Sequence, residues 1–432
     1  MKEKMIREAE ACLHFIDESV SCFHVIENAG EMLREKGFCE LKEKEEWKLK
    51  PGKGYFVTRN DSSLIAFFLP QGKVKGFHIA ASHSDSPSFK VKTGTQIPVE
   101  NSYRKVNVEP YGGMIYATWL DRCLSAAGRV VFEKNGKLKS KTVNIDEDLL
   151  VIPNVAIHMN REMNKNLSYN PQVDLLPLMS AEREDGKQEQ GDVLLKKAAL
   201  AAGIREEQIL GQDLFLYVRE KGRLAGAKKE LMVSPRLDDL MCVYASLKAF
   251  LTTEPGEYIS VCAVFDNEEV GSHTRQGAAS TFLKDTMERI GEAIGKAGGD
   301  YLRLLADSFM ISADNAHALH PNHPEKADLN HRPVLNGGIV IKHHGGQKYT
   351  TDAWSEAVMK ALCKEAEVPY QDYHNRSDIA GGSTLGNISA GQVSIPAVDV
   401  GLAQLAMHSA VETAGSRDVE YLIKALQKFF EK

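Results

Sequence analysis

The chain has 432 residues, 43% of them hydrophobic and 26% charged, with a formal net charge of −6. That length is comfortable for two domains, and the balance is ordinary for a globular protein. The acidic total, with no basic run to track phosphates, argues against a nucleic-acid partner, and no apolar run approaches the ~20 residues that span a bilayer. Seven cysteines, at 12, 22, 39, 123, 242, 262 and 363, include no Cys-x-x-Cys pair. Their odd number and scatter read as free thiols in a reducing compartment. Residues 1–8 are charged and lack the apolar core of a signal peptide, so the expected location is cytoplasmic.

Residues 4–37 read as two helices. In the second, Phe23, Ile26, Ala29 or Met32, and Leu33 recur at helical spacing and Gly37 closes it. His24 lies beside that apolar face as a packed residue. Paired strands follow at 55–58 and 64–69, joined by Asn60-Asp61-Ser62-Ser63. A strand at 76–82 then stops at His83-Ser84-Asp85. From about 92 to 226 short strand-like pieces (105–109, 130–133, 214–219) alternate with turns, and the polar stretch 181–192 reads as a loop. This section is expected to be an inserted β-rich domain. After residue 232 an α/β rhythm returns. Helices are predicted at 240–251, 278–290, 353–365 and 418–430, and strands at 259–265, 309–312, 337–342 and 395–400. The expected fold is α/β: a mixed sheet flanked by helices, formed by residues 1–92 and 231–432, with 93–230 inserted.

Polar residues with metal-binding chemistry recur where apolar strands stop. The clearest case is Asp266-Asn-Glu-Glu-Val-Gly-Ser272, directly after the 259–265 strand. Adjacent carboxylates at the end of a buried strand repel each other unless a cation or a proton intervenes. One glutamate could ligate a metal while its neighbour acts as a general base. Taken alone, the stretch reads equally well as a solvated turn with acidic groups at a helix start. His83, Asp238, Asp314 and His408 occupy comparable places. The carboxyl ends of strands in an open α/β sheet form one rim, so these groups can converge. Two imidazoles and three carboxylates suit zinc, or manganese or cobalt. A carboxylate shared by two ions would hold them about 3.5–4 Å apart. Asp85, two residues after His83, can accept the far ring N–H of the histidine and fix its tautomer.

With these stretches in view, the sequence resembles the aspartyl aminopeptidase family of dinuclear zinc exopeptidases, which includes the vacuolar aminopeptidase I group. The matching text is Tyr55-Phe-Val-Thr-Arg-Asn60, His83-Ser-Asp85-Ser-Pro87, Pro235-Arg-Leu-Asp238 and Asp266-Asn-Glu-Glu-Val-Gly-Ser272. It continues through Ser312-Ala-Asp314-Asn-Ala-His317, His320-Pro-Asn322, Asn330-His-Arg-Pro333 and Gln404-Leu-Ala-Met-His408-Ser409. These span nearly the whole chain in order. The resemblance implies a zinc metalloaminopeptidase of the metal-dependent exopeptidase fold. It would remove an acidic N-terminal residue from short peptides with two divalent ions. Asp238 would bridge, His83 and Asp314 would complete one metal site, Glu269 and His408 the other, and Glu268 would be the base. His317, Lys342 and Tyr349 would contact substrate, and His158 would serve a neighbouring subunit's site. The insert would form dimers, and the assembly would be a tetrahedral dodecamer.

Several positions depart from that pattern. Asp239 stands where the family usually has Asn, which adds negative charge near the metals. Asn154 replaces a histidine seen in some members, Leu385-Gly386-Asn387 replaces Ile-Gly-Pro, and residues 19–24 lack the family's prolines. Other residues suggest a site without forming one. His317, His320 and His323 are spaced like a ligand comb, but Pro321 and Pro324 break the helix that would align them. His343-His344 reads as an exposed turn and His273 as a solvated residue. Gly381-Gly382-Ser383-Thr384 lacks the Lys of a phosphate loop but could line the site. Apart from the family match, Lys342 reads as an exposed strand-end lysine. Preference for a neutral first residue, another co-catalytic hydrolase such as a carboxypeptidase or deacylase, and an assembly protein without turnover are the competing readings.

Overall fold

The computed structural model describes residues 2–100, 102–165, 168–181 and 191–432. Most of the expected 181–192 loop therefore lies outside the described residues. The chain forms two compact units. One comprises residues 1–85, 222–407 and 412–432, and the other residues 86–221 with 408–411. The boundaries fall at 85/86 and 221/222, seven and nine residues before the expected 92/93 and 230/231. The shift at the first has a local cause: strand Ser88–Val99 pairs with Tyr103–Tyr111 and so belongs wholly to the insert. At the second, Arg223–Ala225 pairs with Leu231–Ser234, which pairs with Glu412–Gly415 of the first unit.

The first unit is built on one mixed sheet. Ile259–Phe265 lies between Ser63–Leu69, antiparallel to it, and Phe77–His83, parallel to it. Phe309–Ala313 is parallel to Phe77–His83 on its other side, and Ala397–Leu405 follows. Side chains alternate between the faces. Phe56, Leu64, Ala66, Ala80, Cys262 and Val264 join a core made with helices Lys2–Glu18, Cys22–Glu35, Leu237–Thr252 and Asp418–Phe430. Val57, Ile65, Phe67, Ile79, Val261 and Phe265 join the opposite core with Phe282, Met287 and Leu304. Burial on both faces is why these strands read as unbroken apolar runs.

Register places the site. Phe265 pairs with His83, and Ser312 pairs with Ala81. The residues following all three parallel strands therefore emerge at one rim. Helices Ala353–Glu365 and Asp418–Phe430 have the expected bounds. The expected 278–290 helix instead starts later, as Phe282–Ala293, because Ser280 Oγ donates to the Gly277 carbonyl and accepts the Phe282 N–H, which holds a turn ahead of the helix. The expected 395–400 strand runs on, as Ala397–Leu405, because Ile339–His343 and Glu412–Gly415 both pair with its second half.

The second unit is an antiparallel sheet. Its order is Lys137–Asn144, Leu124–Lys134, Ile209–Val218, Ser88–Val99, Tyr103–Tyr111 and Leu178–Ser180. Helix Val193–Ala202 sets Leu194, Ala198 and Ala202 into its core. Residues 408–411 are tied into this unit. The Ile115 N–H donates to the His408 carbonyl (2.9 Å), and the Ala410 N–H donates to Thr118 Oγ1 (2.9 Å). Among the described residues no helix is long and apolar enough to cross a membrane.

Candidate metal centre

His83 ends its strand with its side chain 1% exposed. Its ring Nδ1 lies 3.0 Å from the Asp85 carbonyl oxygen and 3.4 Å from the Asp85 carboxylate. The tautomer is therefore set mainly by a backbone acceptor, which leaves Nε2 facing Asp238 at 3.6 Å. That separation is long for a hydrogen bond. The Asp85 carboxylate has another task. Its two oxygens accept the N–H groups of Glu268 (3.1 Å) and Glu269 (3.2 Å). It thereby fixes the short turn Glu268–Val270, which is entered through Asn267 at φ 61 and left through Gly271 at φ 96. Asn267 in the left-handed region reverses the chain directly after the strand and turns both glutamates onto the rim.

Asp238 and Asp239, joined by a cis peptide bond, open helix Leu237–Thr252 in non-helical backbone. Both are buried. The Asp239 Oδ2 accepts the His83 N–H (3.2 Å), while its Oδ1 accepts no hydrogen bond. Asp314 follows strand Phe309–Ala313 and is held by its N–H to the Val400 carbonyl (3.0 Å). Gly401 makes room for it, since a Cβ there would overlap the Asp314 carbonyl oxygen. His83, Asp238, Asp239 and Asp314 each offer a ligand atom, all within 4.8 Å of one another. His83, Glu268 and Glu269 do the same.

A metal ion fits this donor set. Burial raises the carboxyl of Asp239 well above its ordinary range, and burial also raises that of Asp314. Glu268 is pushed up to about 8, by burial first and then by the charges of Asp314, Asp85 and Asp238 acting against His83. Burial opposes charging of His83, but its carboxylate neighbours outweigh that and raise it well above 6.5. So many buried carboxylates on one imidazole need further positive charge.

Lys342 supplies some of it and overturns the expectation of an exposed lysine. It is 2% exposed, and its Nζ donates to the carbonyls of Asp314 (2.6 Å) and Asn315 (3.1 Å). It also lies 3.7 Å from the Asp314 carboxylate and 5.4 Å from the Tyr349 ring centre. Burial alone would depress its pKa, yet Asp314 holds it above the ordinary value. Tyr349 is buried beside it. Asp399 accepts from the Thr350 N–H (2.5 Å) and from the hydroxyls of Thr350 and Thr384, which fixes both Tyr349 and the glycine stretch at 381–384. His317 is exposed and lines a cavity of about 430 Å³ with His320, His331, Tyr373 and Gln404. His320 and His323 lie off any helix. His408 and His158 lie in the second unit. The His408 Nδ1 is 3.0 Å from the Gly113 carbonyl oxygen, and His158 sits exposed in a turn. His343 is not in a turn but ends strand Ile339–His343.

The structure adds residues that sequence patterns did not single out. The buried Glu412 accepts the Asp238 N–H (3.0 Å) and contacts the Gln404 amide (3.4 Å). Gln404 accepts from Asn315 (2.8 Å), whose amide also donates to the Leu237 carbonyl (2.8 Å). One buried network therefore backs both Asp238 and Asp314. The one available signal was the acidic residue at 412 in an otherwise small and apolar stretch.

A strand-rim set of one imidazole and several carboxylates, with two glutamates clustered on the same imidazole, is the donor chemistry of a metal-dependent hydrolase. The comparisons sharpen this class. Residues 15–430 match the family described as aminopeptidase I zinc metalloprotease (M18). A probable M18 family aminopeptidase 2 of Clostridium acetobutylicum is 46% identical over 426 residues, covering 98% of each chain. One from Pseudomonas aeruginosa is 39% identical over 425 residues, covering 98% of this chain and 97% of the relative. Among solved structures, Ape4 in complex with Nbr1 superposes with a TM-score of 0.96 at 36% identity, covering 100% of this chain and 86% of that one. The mApe1 dodecamer of S. cerevisiae gives 0.84 at 29% identity, covering 98% and 96%. The chain belongs to the M18 family of zinc metalloaminopeptidases, and the mixed α/β architecture is that family's.

Proposed function

We propose that the chain removes acidic N-terminal residues, Asp or Glu, from short peptides with a pair of divalent ions, zinc before manganese or cobalt. The observation that carries this reading is the convergence of His83, Asp238, Asp314, Glu268 and Glu269 on one rim. Asp238 would be shared by the two ions, His83 and Asp314 would hold one of them, and Glu269 with His408 would hold the other. When bound, the ions supply Lewis acidity that activates water near neutral pH and polarises the scissile carbonyl. Glu268 takes a proton from the attacking water and delivers it to the leaving amine. The Asp85 carboxylate keeps Glu268 in place through its backbone N–H. Tyr349 and His317 are donors for the oxyanion. Lys342 reads the acidic side chain. Two of its three N–H bonds are spent on carbonyls and its charge is shared with Asp314 at 3.7 Å, which leaves one N–H for a substrate carboxylate.

The assembly proposed with this activity is a homo-oligomer, a tetrahedral dodecamer of dimers formed through the inserted unit, with His158 lent to a neighbouring subunit. The dodecameric solved relative supports it. Turnover of Asp-, Glu-, Leu- and Lys-leading peptides, with metal analysis of the same sample, tests the reading. Faster cleavage of Leu- than of Asp-leading substrates would overturn the acidic preference. Glu268→Gln is expected to keep its metal and lose about 10²–10⁴-fold in turnover. Full activity in that variant would remove Glu268 as the base.

A further inference from the structure

We propose that the chain carries a separate divalent-cation site formed by His343, Asp372 and Glu356. Strands Ile339–His343 and Tyr370–His374 are parallel, with Ile341 opposite Asp372, Lys342 opposite Tyr373 and His343 opposite His374. Alternation sends Lys342 and Tyr373 to one face of the sheet and His343, Asp372 and His374 to the other. On that second face lies helix Ala353–Glu365, which brings Glu356. Ligand atoms of His343, Glu356 and Asp372 lie within 4.8 Å of one another.

Three further features favour an ion there. The His343 Nε2 is 3.5 Å from Asp372 Oδ1, long for a hydrogen bond but close to the ~3.3 Å between two ligands of a tetrahedral ion with bonds of about 2.0 Å. Asp372 Oδ1 is buried and accepts no hydrogen bond. The His343 ring is also held in place: it stacks on His374 at 4.8 Å and 5°, and His374 packs on His331 at 4.2 Å. One imidazole and two carboxylates suit a zinc-like divalent ion. Lys360 is the competing cation. Its Nζ lies 2.5 Å from Glu356 and 3.1 Å from Asp372, on a flexible and partly exposed stem that can swing away.

The site lies on the sheet face opposite Lys342 and does not depend on the proposed catalytic reading. The test is zinc content of the full chain after dialysis against buffered free zinc, with calorimetric titration of the same samples. Wild type should hold one ion more than His343→Ala or His343→Gln, however many ions the main centre holds. Lys360→Met removes the competing ammonium and should tighten the added ion about tenfold or more, while loss of His343 should weaken it at least as much. Equal zinc content in wild type and both His343 variants overturns the proposal. So does a Lys360→Met chain that binds the ion no tighter than wild type. If His343→Ala does not fold, His343→Gln and Lys360→Met still decide the matter.

Discussion

Glu412 offers a direct probe of how the centre is built, because its carboxylate accepts the Asp238 backbone N–H. Glu412→Ala leaves the buried Asp238 N–H without the carboxylate that accepts it at 3.0 Å. Losing a charged acceptor at a buried donor costs about 1.5–3 kcal/mol. Outer partners of metal ligands are typically worth ~10–100-fold in metal affinity, which is the same energy seen through binding. Glu412→Gln keeps a carbonyl oxygen for the N–H and should lose much less. The assay is competition for zinc against a chromophoric chelator, with thermal melts of metal-stripped and zinc-loaded samples. A purely structural cost lowers both melts equally. The expected result is a larger drop in the loaded sample and a zinc affinity at least tenfold weaker for Ala. Unchanged zinc affinity in Glu412→Ala would refute the claim that the buried network positions Asp238.

Three other outcomes follow from specific contacts. His78 is sandwiched between Tyr258 and Phe429, and burial lowers its pKa from 6.5 to about 4. A depressed histidine adds stability above pH 6.5 that is lost as pH falls toward 4. Denaturant melts across that window should show wild type losing roughly 3 kcal/mol that His78→Phe does not lose. Gly401→Ala would push a methyl group into the Asp314 carbonyl, so its zinc affinity should fall while Gly386→Ala, which crowds Asp399, chiefly shifts peptide selectivity; metal titration and substrate panels separate the two. Chelation should lower the melting temperature and added zinc restore it, by up to about 4 kcal/mol at a free-metal concentration 1,000 times the dissociation constant. A melting curve indifferent to chelator would show that the buried carboxylates need no cation.

The sequence made some of this legible and hid the rest for identifiable reasons. Ile259–Phe265 and Phe77–His83 are covered on both faces, so burial wrote itself into composition. The same contrast exposed His83, Glu268 and Asp314, because a polar residue at the end of an apolar run is conspicuous. Helix Asp418–Phe430 had a periodic apolar face and its bounds could be read directly. Lys342 was misread without the family pattern because burial of a lysine depends on partners far along the chain: Asp314, Asn315 and Tyr349 meet it only in the fold. Glu412 lies in a four-residue strand and is registered against Ser234, nearly half the chain away. No local period marks so short an element. Asp85 was expected to orient His83 with its carboxylate, whereas its carbonyl is the nearer acceptor and its carboxylate holds the Glu268–Glu269 turn.

That last arrangement links the parts of the centre. Asp85 binds the amides of Glu268 and Glu269 while its carbonyl orients His83, so one residue couples two neighbouring strand ends. Glu412, Gln404 and Asn315 lie behind Asp238, at a helix start, and Asp314, after a strand. Backbone and amide contacts therefore help hold the groups meant to share charge. Carboxylates this close would separate if only their own side chains positioned them. Rigid outer support keeps them together against their repulsion, and that repulsion is what a bound cation relieves.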